Sequence, residues 1–165
     1  MKKIVLIFLL IALSLIIYAG EIKNVILFIG DGMGQNHVVA TRFIEGKELN
    51  MLKTDLFGYV QTFSLNNEVT DSAAAATALA TGYKTNNGMI GMLPNCEVIP
   101  NLTEILSNNG YKTGIVVTCR VTHATPAGFY GHVESRDEES KLAKQLVDSN
   151  LMVVFGGGAN YFEEL

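Results

Sequence analysis

Short apolar runs alternate with segments of helical character along most of the chain. Asn24-Val-Ile-Leu-Phe-Ile29 is apolar, rich in branched residues and of strand length, and it stops at Gly30-Asp-Gly-Met-Gly34. That pattern predicts a buried parallel strand entering a loop, followed by a helix from about Asn36 to Ile44. Gly58 to Ser64 shows strand alternation. Ser72 to Ala80 is an Ala-rich stretch ended by Gly82, which predicts a helix with a glycine stop. Leu102 to Leu106 reads as a helix closed by Gly110, and Lys112 to Thr118 as a second buried strand. Pro126 suits a helix start, with the helix continuing over Ala127 to Val133. An amphipathic helix from Glu138 to Val147, with Leu142, Leu146 and Val147 on its apolar side, precedes a strand over Leu151 to Phe155 and the run Gly156-Gly-Gly158.

Strands alternating with helices predict an α/β fold with a mainly parallel sheet and helices on both faces. Sites in such sheets lie beyond the carboxyl ends of the strands, which singles out the loops after Ile29, Thr118 and Phe155. No repeat or Pro/Gly-rich linker divides residues 21–165, so they read as one continuous domain segment. The first 20 residues differ: Lys2 and Lys3 precede an apolar stretch from Ile4 to Tyr18, then the small residues Ala19 and Gly20. This predicts a signal peptide over residues 1–20 and export to a periplasmic or extracellular location, an uncleaved N-terminal anchor being the alternative.

Composition narrows the partners. Hydrophobic residues make up 48% of the chain, enough for a sizeable core, which excludes disorder. Without Lys2 and Lys3 the twelve basic side chains fall to ten against sixteen acidic ones, and the formal charge moves from −4 to −6. No Lys/Arg cluster larger than a pair follows the leader, so nucleic acid is not an expected partner and any anionic substrate must be held locally. Cys96 and Cys119 lack CxxC spacing. Cys119 reads as a small buried hydrophobe, with a disulfide between the two as the alternative.

Four groups of residues carry candidate chemistry. Asp31, between two glycines directly after the first predicted strand, presents a carboxylate suited to a metal ion, or else a turn-forming Asp. Ser72 begins the Ala-rich helix, where free N–H groups favour an anion and the hydroxyl could act as a nucleophile; the other reading makes Thr70, Asp71 or Ser72 a helix cap. His123 and Thr125 fall on one side of an extended loop after the second strand. Arg136 offers a forked cation suited to phosphate and is placed by the pattern at a helix end.

Read jointly, Gly30-Asp-Gly-Met-Gly34, Val69-Thr-Asp-Ser-Ala-Ala74 through Thr81-Gly-Tyr-Lys-Thr85, Thr122-His-Ala-Thr-Pro126, His132-Val-Glu-Ser-Arg136 and Gly156-Gly-Gly-Ala159 resemble the alkaline phosphatase family in order and spacing. The resemblance covers residues 22–165. It implies metal-dependent hydrolysis of small phosphomonoesters through a phosphoserine on Ser72, with Zn and Mg as cofactors. It further implies that Asp31 bridges a zinc and the magnesium, that Ser72 also binds metal, that Thr125 is a magnesium ligand, and that Arg136 clamps the phosphate and is oriented by Asp71. His123 is taken to stand behind the metal ligands. The family's remaining zinc ligands and a magnesium-binding Glu belong to a later half of the domain. The resemblance therefore makes residues 21–165 the N-terminal portion of an alkaline phosphatase domain, with a homodimer possible for the complete protein and little activity expected of this chain alone. Two alternatives stay open: another metal-dependent phosphoesterase of the same superfamily, and a non-catalytic anion-binding fragment.

Overall fold

The structure, a computed structural model, describes residues 22–163 and 165. The leader predicted over residues 1–20 lies outside the described residues. The chain divides after Gly30 into two units, Met1–Gly30 and Asp31–Leu165. Among the described residues no helix is long and apolar enough to cross a membrane.

Residues 22–30 form no regular element, and the predicted strand Asn24–Ile29 is not one: Phe28 is 89% exposed and Val25 84%. Gly58–Ser64 likewise forms no strand, with Tyr59 and Val60 exposed. Alternation and branched side chains favour an extended backbone, but a strand also needs a neighbour to complete its hydrogen bonds, and neither segment pairs with one among the described residues.

In the second unit, α1 (Gln35–Glu45) and the Ala-rich α2 (Ser72–Thr81) fall where the pattern put them. Helix α2 starts because the Asp71 carboxylate accepts the Ala74 N–H, and it stops because Gly82 adopts φ 80°, a left-handed conformation that glycine reaches without strain. Helix α3 (Leu102–Asn108) opens with a reciprocal cap between Asn101 and Glu104. Then come β1 (Gly114–Arg120), α4 (Ala124–Ala127), α5 (Glu139–Val147) and β2 (Val153–Gly157). The two strands pair in parallel, with Gly114 opposite Val153 and Val116 opposite Phe155. This is the expected α/β class, with a two-stranded parallel sheet among the described residues.

Both strands begin and end two residues later than expected over Lys112–Thr118 and Leu151–Phe155, and three further local expectations shift. Strand β1 is half-buried rather than buried: Ile115 and Val117 pack on the core, while Val116 between them is exposed. Helix α4 begins at Ala124, earlier than the expected start at Ala127, because the His123 ring caps it; Pro126 falls in its first turn, where no N–H is needed. In α5, Leu142 and Leu146 are buried one turn apart, but Val147, a further 100° round the helix, is exposed.

The core joins Ala73, Ile90, Val121, Ala124, Ala127 and Tyr130 to Val133, Leu142 and Leu146. One close seam lies between α2 and the residues that follow α4. A Cβ on Gly128 would stand 2.7 Å from the Ala76 Cβ and 2.9 Å from the Ala76 carbonyl carbon. Alanine on one side and glycine on the other thus bring α2 and α4 together, and with them Ser72 and Thr125.

Candidate active site

Asp31 receives both hydroxyls. Ser72 Oγ donates to its Oδ1 at 2.9 Å and Thr125 Oγ1 to its Oδ2 at 2.8 Å. Ser72 and Thr125 are far apart in sequence and meet because α2 and α4 start side by side, and Asp31, from the loop before α1, bonds both. His123 Nδ1 lies 3.9 Å from Asp31 Oδ2, and His123 Nε2 accepts from Arg136 Nη2 at 3.1 Å. Arg136 Nη1 donates to Asp71 Oδ2 at 3.2 Å. The sequence-predicted residues Asp31, Ser72, Thr125 and Arg136 therefore form one chain of contacts, with His123 and Asp71 as its links.

Asp71 combines two of the roles weighed from the sequence. Its Oδ1 caps α2, while its Oδ2 accepts both Arg136 and the Gly88 N–H at 3.0 Å. The guanidinium is thereby held beside the residue that precedes Ser72. Arg136 itself is not at a helix end; it sits in the turn before α5, with its own N–H bonded to the Gly88 carbonyl at 2.7 Å. The pattern misplaced it because the helix it was thought to close ends at Ala127.

Electrostatics follow from this arrangement. Burial alone would raise the Asp31 carboxyl, but the Thr125 and Ser72 hydroxyls, with His123 and Arg136, outweigh it and hold the carboxyl below its ordinary value. Burial and the neighbouring Arg136 cation push His123 down despite Asp31. A neutral imidazole fits the contact with Arg136, which can only donate, so that Nε2 accepts.

Other polar and sulfur-bearing residues stand elsewhere. His37 Nδ1 accepts from the Gly34 N–H at 3.2 Å, at the start of α1. His132 pairs with Glu104 at 2.9 Å and with the Gly91 carbonyl at 2.8 Å. Lys84, within the Thr-Gly-Tyr-Lys-Thr motif, donates to the Phe63 carbonyl and lies 3.0 Å above the Phe63 ring, a pinning role. Of the three loops at strand ends, the one after β2 adds no polar side chain to Asp31; Gly158 lies against Arg120 instead. Cys96 and Cys119 are both free thiols, and Cys119 is half-buried rather than buried.

Sequence reasoning missed Asn87. Its Oδ1 accepts the Asp71 N–H at 3.0 Å and its Nδ2 donates to the Val69 carbonyl at 2.9 Å, which fixes the approach to Ser72. The Asn87-Gly88 pair was visible as a turn signal, but its partners 16 and 18 residues away were not.

The donor set around Asp31, one carboxylate and two hydroxyls, is all oxygen and fits a hard cation such as Mg²⁺. Among the described residues no group of three or more His, Cys, Asp or Glu side chains converges.

Residues 22–164 match the family model described as alkaline phosphatase. Alkaline phosphatase 4 of Bacillus subtilis (strain 168) is 37% identical over 157 residues, a match covering 86% of this chain and 34% of that protein. The alkaline phosphatase from the Antarctic bacterium TAB5 superposes with a TM-score of 0.83 at 39% identity, covering 87% of this chain and 42% of that one. A mutant of the same TAB5 enzyme, with Mg bound in its M3 site, superposes with a TM-score of 0.81 at 38% identity. The chain thus spans about a third of the length of the curated relatives it matches. The match runs through the segments that bring Asp31, Ser72, Thr125 and Arg136 together, and with it the chain belongs to the alkaline phosphatase family.

Proposed function

We propose that this chain is the N-terminal portion of an exported, metal-dependent phosphomonoesterase in which Ser72 carries the phosphoryl group during turnover. The observation that supports it most is the Asp31 carboxylate bridging the Ser72 and Thr125 hydroxyls, with Arg136 held next to Ser72 through Asp71.

Each residue then has a role. Ser72, at the first position of α2, faces an incoming phosphate with the helix's unpaired first-turn N–H groups and positive dipole end behind it. Its oxygen attacks phosphorus in line: the Ser72 O–P bond forms as the P–O bond to the ester oxygen breaks, the serine proton is lost to solvent and the departing oxygen takes one from water to leave as the alcohol, and water then cleaves the phosphoserine to phosphate and the free hydroxyl. Arg136 binds the non-bridging oxygens through its forked donors and stabilises the charge they carry as the phosphoryl group moves. Asp71 keeps that fork in place, and His123, neutral, accepts one of its remaining N–H groups. Asp31 and Thr125 would hold magnesium, while Asp31 and Ser72 would supply part of a zinc site completed by ligands from a further stretch of polypeptide of the kind the longer relatives possess. When bound, these cations supply Lewis acidity that lowers the serine pKa and stabilises the leaving oxygen. The 165-residue chain alone is accordingly a poor phosphatase.

Acid-quench trapping with a radiolabelled phosphomonoester on the complete polypeptide, followed by peptide mapping, tests this reading. Label is expected on Ser72; label on another residue overturns it.

A further inference from the structure

Glu139 is a carboxylate beside the site for which the reading above has no use. It opens α5, and its side chain is only 13% exposed. Its Oε1 accepts from Arg120 Nη2 at 2.7 Å and its Oε2 from Arg120 Nε at 2.9 Å, a two-point fork, while the Thr122 hydroxyl also donates to Oε2. Hydrogen bonding from Arg120, with Thr122 and Tyr161 adding to it, keeps this carboxyl below its ordinary value against the pull of burial.

An exposed Arg–Glu pair on its own would mean little, because such pairs are weakened by solvent. Thr122 changes that assessment. It has no solvent exposure, so its hydroxyl needs a protein acceptor, and Glu139 is that acceptor.

Arg120 and Thr122 belong to the turn that delivers His123 and Thr125. The His123 N–H closes the turn on the Arg120 carbonyl at 3.0 Å, the Val121 N–H bonds the Gly157 carbonyl at 3.0 Å, and the Tyr130 hydroxyl donates to the Val121 carbonyl at 2.9 Å. The side chains then divide. Arg120 and Thr122 engage Glu139, whereas Thr125 and His123 engage Asp31 and Arg136. Arg136 lies three residues before Glu139, in a turn fastened by the Glu138 N–H on the Ser135 carbonyl at 3.1 Å and the Ser135 N–H on Glu138 Oε1 at 3.2 Å. One four-residue stretch thus grips the 120–125 turn from two sides, through Arg136 on the site side and Glu139 on the other.

We propose that Glu139 is a positioning residue: by holding Arg120 and Thr122 it fixes the turn that places Thr125 Oγ1 on Asp31 and His123 Nε2 against Arg136. The assignment deepens the phosphoryl-transfer reading and rests on it for its functional meaning. Its geometric content can be tested without activity.

The test uses the full 165-residue chain with ¹³C-methyl-labelled threonine, the Thr125 methyl resonance being assigned by its loss in Thr125→Ser. In Glu139→Gln that resonance should move toward the position of a freely rotating threonine. The Mg²⁺ concentration that half-saturates its shift should rise about tenfold, the scale on which partners of metal ligands act. Thr122→Val, which keeps shape and removes only the hydroxyl donor, should move the resonance in the same direction, and it carries the test alone if Glu139→Gln does not fold. His132→Gln breaks the distant pair with Glu104 and should lower the thermal midpoint with the Thr125 resonance unmoved. A Thr125 resonance at its wild-type position in Thr122→Val and in any folded Glu139→Gln overturns the proposal. So does an equal displacement in His132→Gln, which would mark general loosening. Failure of Ser72 labelling with the Thr125 response intact would remove the phosphoryl-transfer reading and leave the brace standing.

Discussion

Two polar clusters flank α4, and each contains a histidine. Around His123 the partners are Asp31, Arg136 and, through them, Ser72, Thr125 and Asp71. Around His132 they are Glu104, the Gly91 carbonyl and Gln145, whose Oε1 accepts the His132 N–H at 2.8 Å and whose Nε2 donates to the His132 carbonyl at 3.0 Å. The second cluster is closed around its histidine: both ring nitrogens and both backbone groups of His132 end on protein atoms, and Glu104, itself 40% exposed at its side chain, also accepts the Asn101 N–H. The first is open. The difference lies at the cation rather than at the carboxylate: Asp31 is 43% exposed at its side chain, much as Glu104 is, but the Arg136 bonds to Asp71 and His123 leave further N–H donors of the guanidinium free for a ligand. A histidine whose partners satisfy it on every side holds a fold together, whereas a guanidinium with donors to spare is suited to take up an anion.

Substitutions in the two clusters can break that contrast. The largest effect is expected for Ser72→Ala in the complete protein, where phosphoenzyme formation should vanish. The residual turnover of purified residues 21–165 with added Zn and Mg should already be low, and a rate near that of a complete enzyme, abolished by the same substitution, would contradict the part-set reading of the metal site. Next comes Arg136→Ala, which should weaken inhibition by inorganic phosphate by about tenfold or more, the scale of a lost charge-assisted pair, while circular dichroism stays unchanged. An unaltered phosphate inhibition constant would take Arg136 out of the site. In the closed cluster, His132→Gln should leave phosphate affinity alone and reduce stability by about 1–2 kcal/mol, read as a lowered urea midpoint, because one of two ring contacts is lost.

The smallest effect concerns acid. The folded Asp31 carboxyl lies below its ordinary value, so its hydrogen bonds stabilise the fold above the unfolded carboxylate pKa. That contribution is shed as pH falls through the lower folded value. Asp31→Asn should accordingly flatten the acid limb of the stability curve and leave it unchanged near neutrality in slope. An acid limb identical to wild type would show that the two hydroxyls do not hold the carboxylate in solution.

What the sequence discloses differs between the clusters for a physical reason. Signals written within four residues were legible: a cap among Thr70, Asp71 and Ser72, which falls to Asp71, the Gly82 stop, and an apolar side of α5 on which Leu142 and Leu146, but not Val147, are buried. The site residues were legible as a set only because their motifs recur together in one family, and the structure brings Asp31, Ser72, Thr125 and Arg136 into one network. Whatever depends on a distant partner was not legible. Nothing near Asn24–Ile29 or Gly58–Ser64 says whether a neighbouring strand will receive them, and nothing near Glu139 says that its carboxylate will meet Arg120 and Thr122. Arg136 was recognised by its charge but assigned to the wrong end of a helix, because turn geometry is set by the contact with Gly88 rather than by local preference.

The missing side chain at Gly128 has a consequence for how this site tolerates change. Ser72 and Thr125 ride on helices whose separation is fixed by close packing rather than by a hydrogen bond, the approach of residue 128 to the Ala76 methyl and the Ala76–Thr77 backbone. A single added methyl there would act as a wedge, tilting one helix start away from the other and widening the gap that Asp31 spans. The spacing of the Ser72 and Thr125 hydroxyls is therefore gauged from behind, by a position that contributes no group to the site and would be overlooked in any survey of the groups that touch a ligand.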